Sequence, residues 1–391
     1  MKSSAEEIKI IEQVLNHLDD DSTDQQADLI QIPTTEYTSP DRLEEEIAIL
    51  FRRFPLIVGH VSSLPSPGDF LTHNDTGVPI LVTRDKEGAI QAFLNVCRHR
   101  GARLEGRACG KANTFSCPYH GWTYDLTGRL RGLRKAEHFG DFDKGDYGLV
   151  KLPAFERFGL IWVRPSPIEP HESTDDPLDI DAWLAPMAEQ LASLSLDSHV
   201  VYKTWTLERN MNWHIALEGF QEQYHFCTAH KHTACSAYLD TQGVYLDQYP
   251  HVRHAVPIAS IGKLRDQPVD EWSYRRQFMT QNYLFPCNFL QVMTDHVYVH
   301  TITPIAADRC IFSCLMLIPE TPTNPKAEQH WQANYDVVRR VFEEDFQIGE
   351  GIQAGLASGA NDFFTIGRTE NGIQLARKAL IDALEGRLTA S

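Results

Sequence analysis

Hydrophobic positions recur at helical spacing near the start of the chain. Ile8, Ile11, Val14, Leu15 and Leu18 predict an amphipathic helix over residues 5–20. Ser39-Pro40-Asp41 then supplies a capping hydroxyl, a first-turn proline and an acid, and Leu43, Ile47, Leu50 and Phe51 form the apolar face of a second helix. The polar stretch 19–36 between them reads equally as an ordered loop or a flexible connector. From about 55 to 165 the pattern changes to short runs. PILVTR and AIQAFLNV flank Asp85-Lys86-Glu87-Gly88 as one hairpin, and WTYD and RLRGL flank Leu126-Thr127-Gly128 as another. Residues 165–177, rich in proline and acids, read as a linker. A helix (IDAWLAPMAEQLASL), a strand (VVYKTWTLER) and a helix from about Trp213 to Cys227 follow. Several strands then fill 283–319, and two helices close the chain near 326–357 and 370–386. The expected organisation is α+β in three segments: helices in 1–54 that pack on the larger domain, a small all-β domain at 55–165, and a larger α+β domain at 178–391.

Composition narrows the function classes. A chain of 391 residues has room for two domains. The net charge of -17 repels phosphate backbones, so nucleic acid is not an expected partner, whereas a basic redox partner would be favoured. No run approaches ~18 uncharged apolar residues, so no membrane span is expected. The acid-rich N-terminus lacks the basic start of a signal peptide, and a cytoplasmic location is expected. Eight cysteines stand singly at 97, 109, 117, 227, 235, 287, 310 and 314. They suggest no disulfide framework, and metal binding is the better reading for those with special spacing.

Two constellations carry chemistry. Cys97-Arg98-His99 and Cys117-Pro118-Tyr119-His120 each follow a strand. Two thiolates and two imidazoles suit a two-iron, two-sulfide cluster with one iron held by each ligand type. A structural zinc site would use the same ligands, but it usually spaces a pair by two to four residues, and Cys97 and His99 have only Arg98 between them. Cys109 matches no ligand position and reads as a small packing residue. The second constellation lies in NWHIALEGFQEQYHFCTAH, residues 212–230, where Glu222 precedes His225 and His230. That spacing alone is weak among 17 histidines. An iron(II) oxygenase site needs two histidines and one carboxylate on one face. Asp345 in VFEEDFQIGEGIQAGLASG is the candidate, with Glu343 and Glu344 as decoys of the same chemistry. A solvated acidic face is the bland alternative.

CRHRGARL and CPYHGWTYDLTGRL resemble the cluster loops of Rieske oxygenases and Rieske ferredoxins, without the two extra cysteines of respiratory Rieske proteins. Asn212-Trp213, Glu218, Glu222-Gln223-Tyr224-His225, His230, Glu344-Asp345 and Gln353-Ala354-Gly355-Leu356-Ala357-Ser358 match the oxygenase pattern in order, over about residues 90–360. The resemblance implies a small all-β Rieske [2Fe-2S] domain and a larger, helix-grip-like α+β catalytic domain with an antiparallel sheet. It also implies a cluster on Cys97, His99, Cys117 and His120, and a mononuclear Fe(II) on His225, His230 and Asp345. His232 comes too late to be a ligand. Glu222 would bridge His225 to His120 of a neighbouring subunit. O2 would be the cosubstrate. Electrons would come from NAD(P)H through a separate reductase, with or without a ferredoxin, since no Gly-x-Gly-x-x-Gly fingerprint is present. The family assembles as trimers, so a homotrimer, or a trimer with a small beta subunit, is expected. The reaction would be hydroxylation, dihydroxylation or dealkylation of an aromatic or polycyclic compound or a quaternary amine.

Two positions depart from the commoner pattern: His214 replaces a lysine, and Glu222 replaces an aspartate. A glutamate bridge resembles the branch acting on quaternary ammonium compounds such as carnitine. The pocket is expected from Phe220, Gln221 and the strands of 283–303, with Trp205, Trp213 and Tyr224 as aromatic faces for a cation. The rivals are a ferredoxin-like electron carrier, which needs only the first constellation, and a non-catalytic homologue with a broken iron site.

Overall fold

A computed structural model describes residues 3–167 and 178–390, so the linker expected at 165–177 lies largely outside the described residues. The chain divides into two compact units, Met1–Glu46 with Tyr202–Leu388, and Ile47–Val201 with Thr389–Ser391. No helix among the described residues is long and apolar enough to cross a membrane.

The unit built on Ile47–Val201 consists of short strands. Five pair in the order Lys151–Leu152, Ile90–Leu94, Ile80–Arg84, Asp69–His73, Cys109–Lys111. Ala154–Arg157, Leu160–Val163 and Leu56–His60 form a second sheet, and Thr114–Ser116, Thr123–Asp125 and Leu130–Gly132 a third. Both expected hairpins are present, with Ile80–Arg84 against Ile90–Leu94 and Thr123–Asp125 against Leu130–Gly132. The two-residue period of a strand sorts the core. Leu81 joins Phe93, Phe115, Trp122 and Tyr124 in one cluster, while Ile80 and Val82 join Ala92, Ile161 and Val163 in the other. Cys109, expected as a packing residue, is exposed on the edge strand instead. The helix expected from IDAWLAPMAEQLASL is interrupted at Pro186, which lacks an N–H to donate, and splits into Ile180–Leu184 and Ala188–Ser193.

The other unit holds α1 (Ala5–Asp20), the first turns of α2 (Pro40–Arg53), α3 (Trp213–Glu218), α4 (Pro325–Leu356) and α5 (Asn371–Leu384). Its sheet has seven strands: β1 (Val200–Arg209), β2 (Val244–Gln248), β3 (His251–Pro257), β4 (Phe278–Leu284), β5 (Asn288–Val292), β6 (Val297–Ala306) and β7 (Arg309–Ile318). Their order is β1-β7-β6-β5-β4-β3-β2, so β2 to β7 form an antiparallel meander. α1 starts on a capping box of Ser4 and Glu7 and buries Ile10, Ile11, Val14 and Leu15 against Val244, Ala255 and Trp272. Asn324 caps α4, and Pro325 occupies its first turn. The stretch 19–36 is ordered. Ile30–Pro33 pairs with Phe363–Ile366, and Asp24 accepts from His17 at 2.8 Å and from the Tyr245 N–H at 3.2 Å. The expected helix from Trp213 to Cys227 stops at Glu218; a second short helix, Phe226–Ala229, follows a turn.

Candidate functional site

The two loops of the β unit share one backbone design. The Cys97 N–H donates to the Ala102 carbonyl at 2.8 Å and the Gly101 N–H to the Cys97 carbonyl at 3.0 Å. Cys117, Trp122 and Gly121 repeat both bonds at 2.8 and 3.0 Å. Gly101 (φ 74°) and Gly121 (φ 73°) take the left-handed conformation that this turn needs. Within this shared turn the imidazole sits two residues after Cys97 and three after Cys117. Cys97 and Cys117 are buried, His99 and His120 half-buried, and the two Nδ1 atoms lie 3.1 Å apart. Trp122 stacks on His99 at 4.9 Å, and Tyr124 Oη accepts the Arg98 N–H at 3.1 Å beside Cys97 Sγ. Burial pushes the Cys97 thiol up, although the Tyr124 hydroxyl works against that. Buried sulfurs on one side and facing imidazoles on the other fit a cluster whose two irons take different ligands.

In the other unit, ligand atoms of His225, His230 and Asp345 lie within 4.8 Å of one another. Both Nε2 atoms converge on Asp345 Oδ1, at 3.6 Å from His225 and 3.0 Å from His230. Each Nδ1 is held from behind by a different carboxylate. Glu222 Oε1 takes the Nδ1 of His225, and its Oε2 accepts the His225 N–H at 3.2 Å. Glu344 takes the Nδ1 of His230 at 2.8 Å and the Thr233 hydroxyl at 2.7 Å. This arrangement fixes both tautomers and leaves two lone pairs and a carboxylate facing a common point, as a divalent iron needs. Burial opposes a charged His225, but Glu222 and Asp345 outweigh it and hold the imidazole above its ordinary value. Burial likewise opposes a charged His230, and Asp345 with Glu344 outweighs it. His232 is exposed, away from any such role.

Glu344, set aside as a ligand decoy, stays outside the triad but holds a ligand histidine from behind, a role the sequence reading missed, while its neighbour Glu343 pairs with Arg209 and has no part in the site. A disulfide, Cys227–Cys235, with Cα atoms 4.7 Å apart, spans His230 from the loop between the histidines to the segment beyond. No disulfide was expected there, because a pair eight residues apart in a turn-rich loop has no spacing signature. The substitution at 214 is explained by Glu46. That carboxylate is 1% exposed and accepts from His214 Nε2 at 2.9 Å, Trp213 Nε1 at 2.9 Å and Arg42 Nε at 2.8 Å. Burial raises its pKa, but His214, Trp213 and Arg42 overcome that and pull it down to about 2. Glu218 accepts the Tyr37 hydroxyl at 2.9 Å, and burial pushes its carboxyl up to about 7.

Beside the triad opens a recess of about 750 Å³, its mouth included. One face of α4 contributes Asn334, Val338, Val341, Phe342 and Asp345, which recur at helical spacing and so lie on one side of the helix. The loop bearing the histidines contributes Phe226 and Tyr238, whose rings meet at 86° with centroids 5.9 Å apart. Phe220 lines the recess as expected. Gln221 lines a neighbouring cavity instead, Tyr224 is 67% exposed, and Trp205 and Trp213 pack in the core. The sheet supplies a feature that sequence reading missed. Its register places His254, Gln281, Gln291 and Tyr298 directly opposite one another across β3, β4, β5 and β6, and all four line the recess. The adjacent row on β3 and β4, Val256 opposite Met279, is apolar. His254 stacks on Tyr245 at 4.0 Å, and burial, with the charge of His225, pushes it down to about 3.

Comparison with known proteins identifies both halves. The Rieske [2Fe-2S] domain family matches residues 54–153, and the ring hydroxylating alpha subunit (catalytic domain) family matches 196–386. The glycine betaine monooxygenase oxygenase subunit of Pseudomonas aeruginosa (strain UCBPP-PA14) is 33% identical over 356 residues, 80% of this chain and 81% of that one. The glycine betaine monooxygenase oxygenase subunit of Chromohalobacter salexigens is 36% identical over 200 residues, 51% of this chain, and that match spans only 43% of the relative's length. Among solved structures, the quaternary ammonium Rieske monooxygenase CntA in complex with L-carnitine shares the fold. Its TM-score is 0.76 at 23% identity, covering 91% of this chain and 96% of that chain.

Proposed function

The chain belongs to the Rieske-type ring-hydroxylating oxygenases, iron-dependent enzymes that combine a [2Fe-2S] cluster with a mononuclear iron and use O2, and on that premise we propose that it is the oxygenase component of a system that oxidises a small quaternary ammonium compound. The observation that carries the substrate class is the aromatic corner of Phe226 and Tyr238 in a recess that also holds the Glu222 and Asp345 carboxylates. Aromatic faces attract a methylated ammonium, and the attraction strengthens when water is excluded. The glutamate at 222 and the two glycine betaine monooxygenase relatives point the same way.

We read Cys97, His99, Cys117 and His120 as the cluster ligands and His225, His230 and Asp345 as those of the mononuclear iron. When bound, the cluster supplies electrons singly and the iron supplies oxygen activation. The protein's own part is positional. Glu222 and Glu344 accept the two Nδ1–H groups and so keep both Nε2 lone pairs turned toward Asp345. The Val338, Val341 and Phe342 side of α4 keeps water from the oxidised carbon. Glu222 is further read as the contact to His120 of a neighbouring copy in a three-fold ring, with electrons drawn from NAD(P)H through a separate reductase. Two measurements test this. Iron analysis should return about three irons per chain, against about two for an electron carrier or a broken homologue. Oxygen uptake with a surrogate reductase should be coupled to quaternary amines and not to naphthalene or biphenyl; the reverse preference would overturn the substrate class.

A further inference from the structure

The row His254, Gln281, Gln291 forms a polar stripe on an otherwise apolar wall. Strands lie about 4.8 Å apart, so the stripe runs roughly 10 Å across the recess, the reach of a small elongated molecule. Part of it has no work within the fold. His254 is 3% exposed, yet neither of its ring nitrogens has a hydrogen-bond partner among the described residues. Gln281 Oε1 and, beside the row, Gln223 Oε1 are likewise buried and unpartnered. Unmet buried polar groups are costly and uncommon, and four such atoms on residues that line one cavity point to a place where a ligand's polar end is received.

The chemistry of that end follows from charge. No lysine or arginine lines the recess among the described residues, and its only formal anions are Glu222 and Asp345. Asp345 is read as an iron ligand and Glu222 is engaged by His225, but a buried carboxylate at the row would still have no cationic side chain to meet it. A neutral histidine and the Gln281 amide instead offer N–H donors and acceptors to a hydroxyl or carbonyl, with Gln291 held in the row by Met279 and His300. Building on the quaternary ammonium reading, we propose that the His254–Gln281–Gln291 row is the specificity-determining wall of the site, and that it selects a quaternary ammonium substrate whose second polar group is an uncharged hydroxyl or carbonyl rather than a carboxylate.

The test is calorimetric binding to the iron-loaded enzyme without oxygen, so that no turnover intervenes. The probes are (2-hydroxyethyl)trimethylammonium, ethyltrimethylammonium, N,N,N-trimethylglycine and 3,3-dimethylbutan-1-ol, the carbon isostere of the first. The hydroxyethyl cation should bind at least about tenfold tighter than both the ethyl cation and trimethylglycine. His254→Phe and, separately, Gln281→Leu should erase the preference for hydroxyethyl over ethyl while leaving the iron content unchanged. Trimethylglycine binding as tightly as the alcohol, or a preference that survives both substitutions, overturns the proposal and leaves the quaternary ammonium reading intact. If the carbon isostere binds as well as its cation, that underlying reading fails, and the proposal falls with it.

Discussion

At the scale of single residues, three consecutive carboxylates show how one turn of helix divides its labour. Glu343 holds Arg209, Glu344 holds the Nδ1 of His230, and Asp345 faces both Nε2 atoms. All three share a chemistry, and only the roughly 100° step between helical neighbours separates their fates. Glu344→Ala is expected to weaken iron retention 10- to 100-fold, roughly the usual effect of removing a carboxylate that orients a ligand histidine. Glu343→Ala should leave it within about twofold. Competition with a chelator measures both, and an equal or larger loss at Glu343 would refute the assignment. The candidate ligands themselves were legible, because residue type and order match a known pattern. Glu344 was not, because its role depends on which way it points from α4. His254 escaped notice for a related reason: its meaning lies in strand register, and Arg253 and His254 together disguise β3 as polar.

At the scale of elements, the Glu46 carboxylate ties α2 to α3. Its acidity gives the tie a pH signature. The folded pKa, about 2, lies below the ordinary 4.5, so the stabilisation is fully present above about 4.5 and is lost as the pH falls toward 2. A shift of that size corresponds to about 3 kcal/mol for a group this deeply buried. Glu46→Gln should therefore lower the unfolding free energy at pH 7, and its gap from the parent should close between pH 4.5 and 2. Urea titrations across that range provide the check, and a gap that widens on acidification would contradict it. Helices that carry their own caps, α1, α2 and α4, were readable from the sequence nearly to the residue. The strand Ile30–Pro33 was not, since its partner lies more than 300 residues away.

At the scale of the whole molecule, each compact unit holds one constellation. In a head-to-tail ring, a chain able to hold only the cluster can serve a neighbour able to hold only the iron. Co-expression of Asp345→Ala chains with Cys117→Ser chains tests that arrangement. Random mixing should restore about a quarter of parental turnover per chain, since about a quarter of neighbouring pairs combine an intact cluster with an intact iron site. Each variant alone should be inactive, and an inactive mixture that still assembles would argue against transfer between copies. The cluster set was readable because its two loops are local and closely spaced; the iron set, with Asp345 far along the chain from its histidines, was readable only through its order in a known pattern. The proposed partnership between copies would be a property of assembly, and no single chain spells it out. The polar stripe across β3, β4 and β5 carries a different kind of consequence, one of inheritance. Residues that oppose one another across a sheet are scattered along the gene, and each lies between neighbours that face the other way. On the proposed reading, a lineage could rewrite what the site accepts by single substitutions at 254, 281 or 291, with the candidate iron ligands and the packed side of the sheet passed on unchanged.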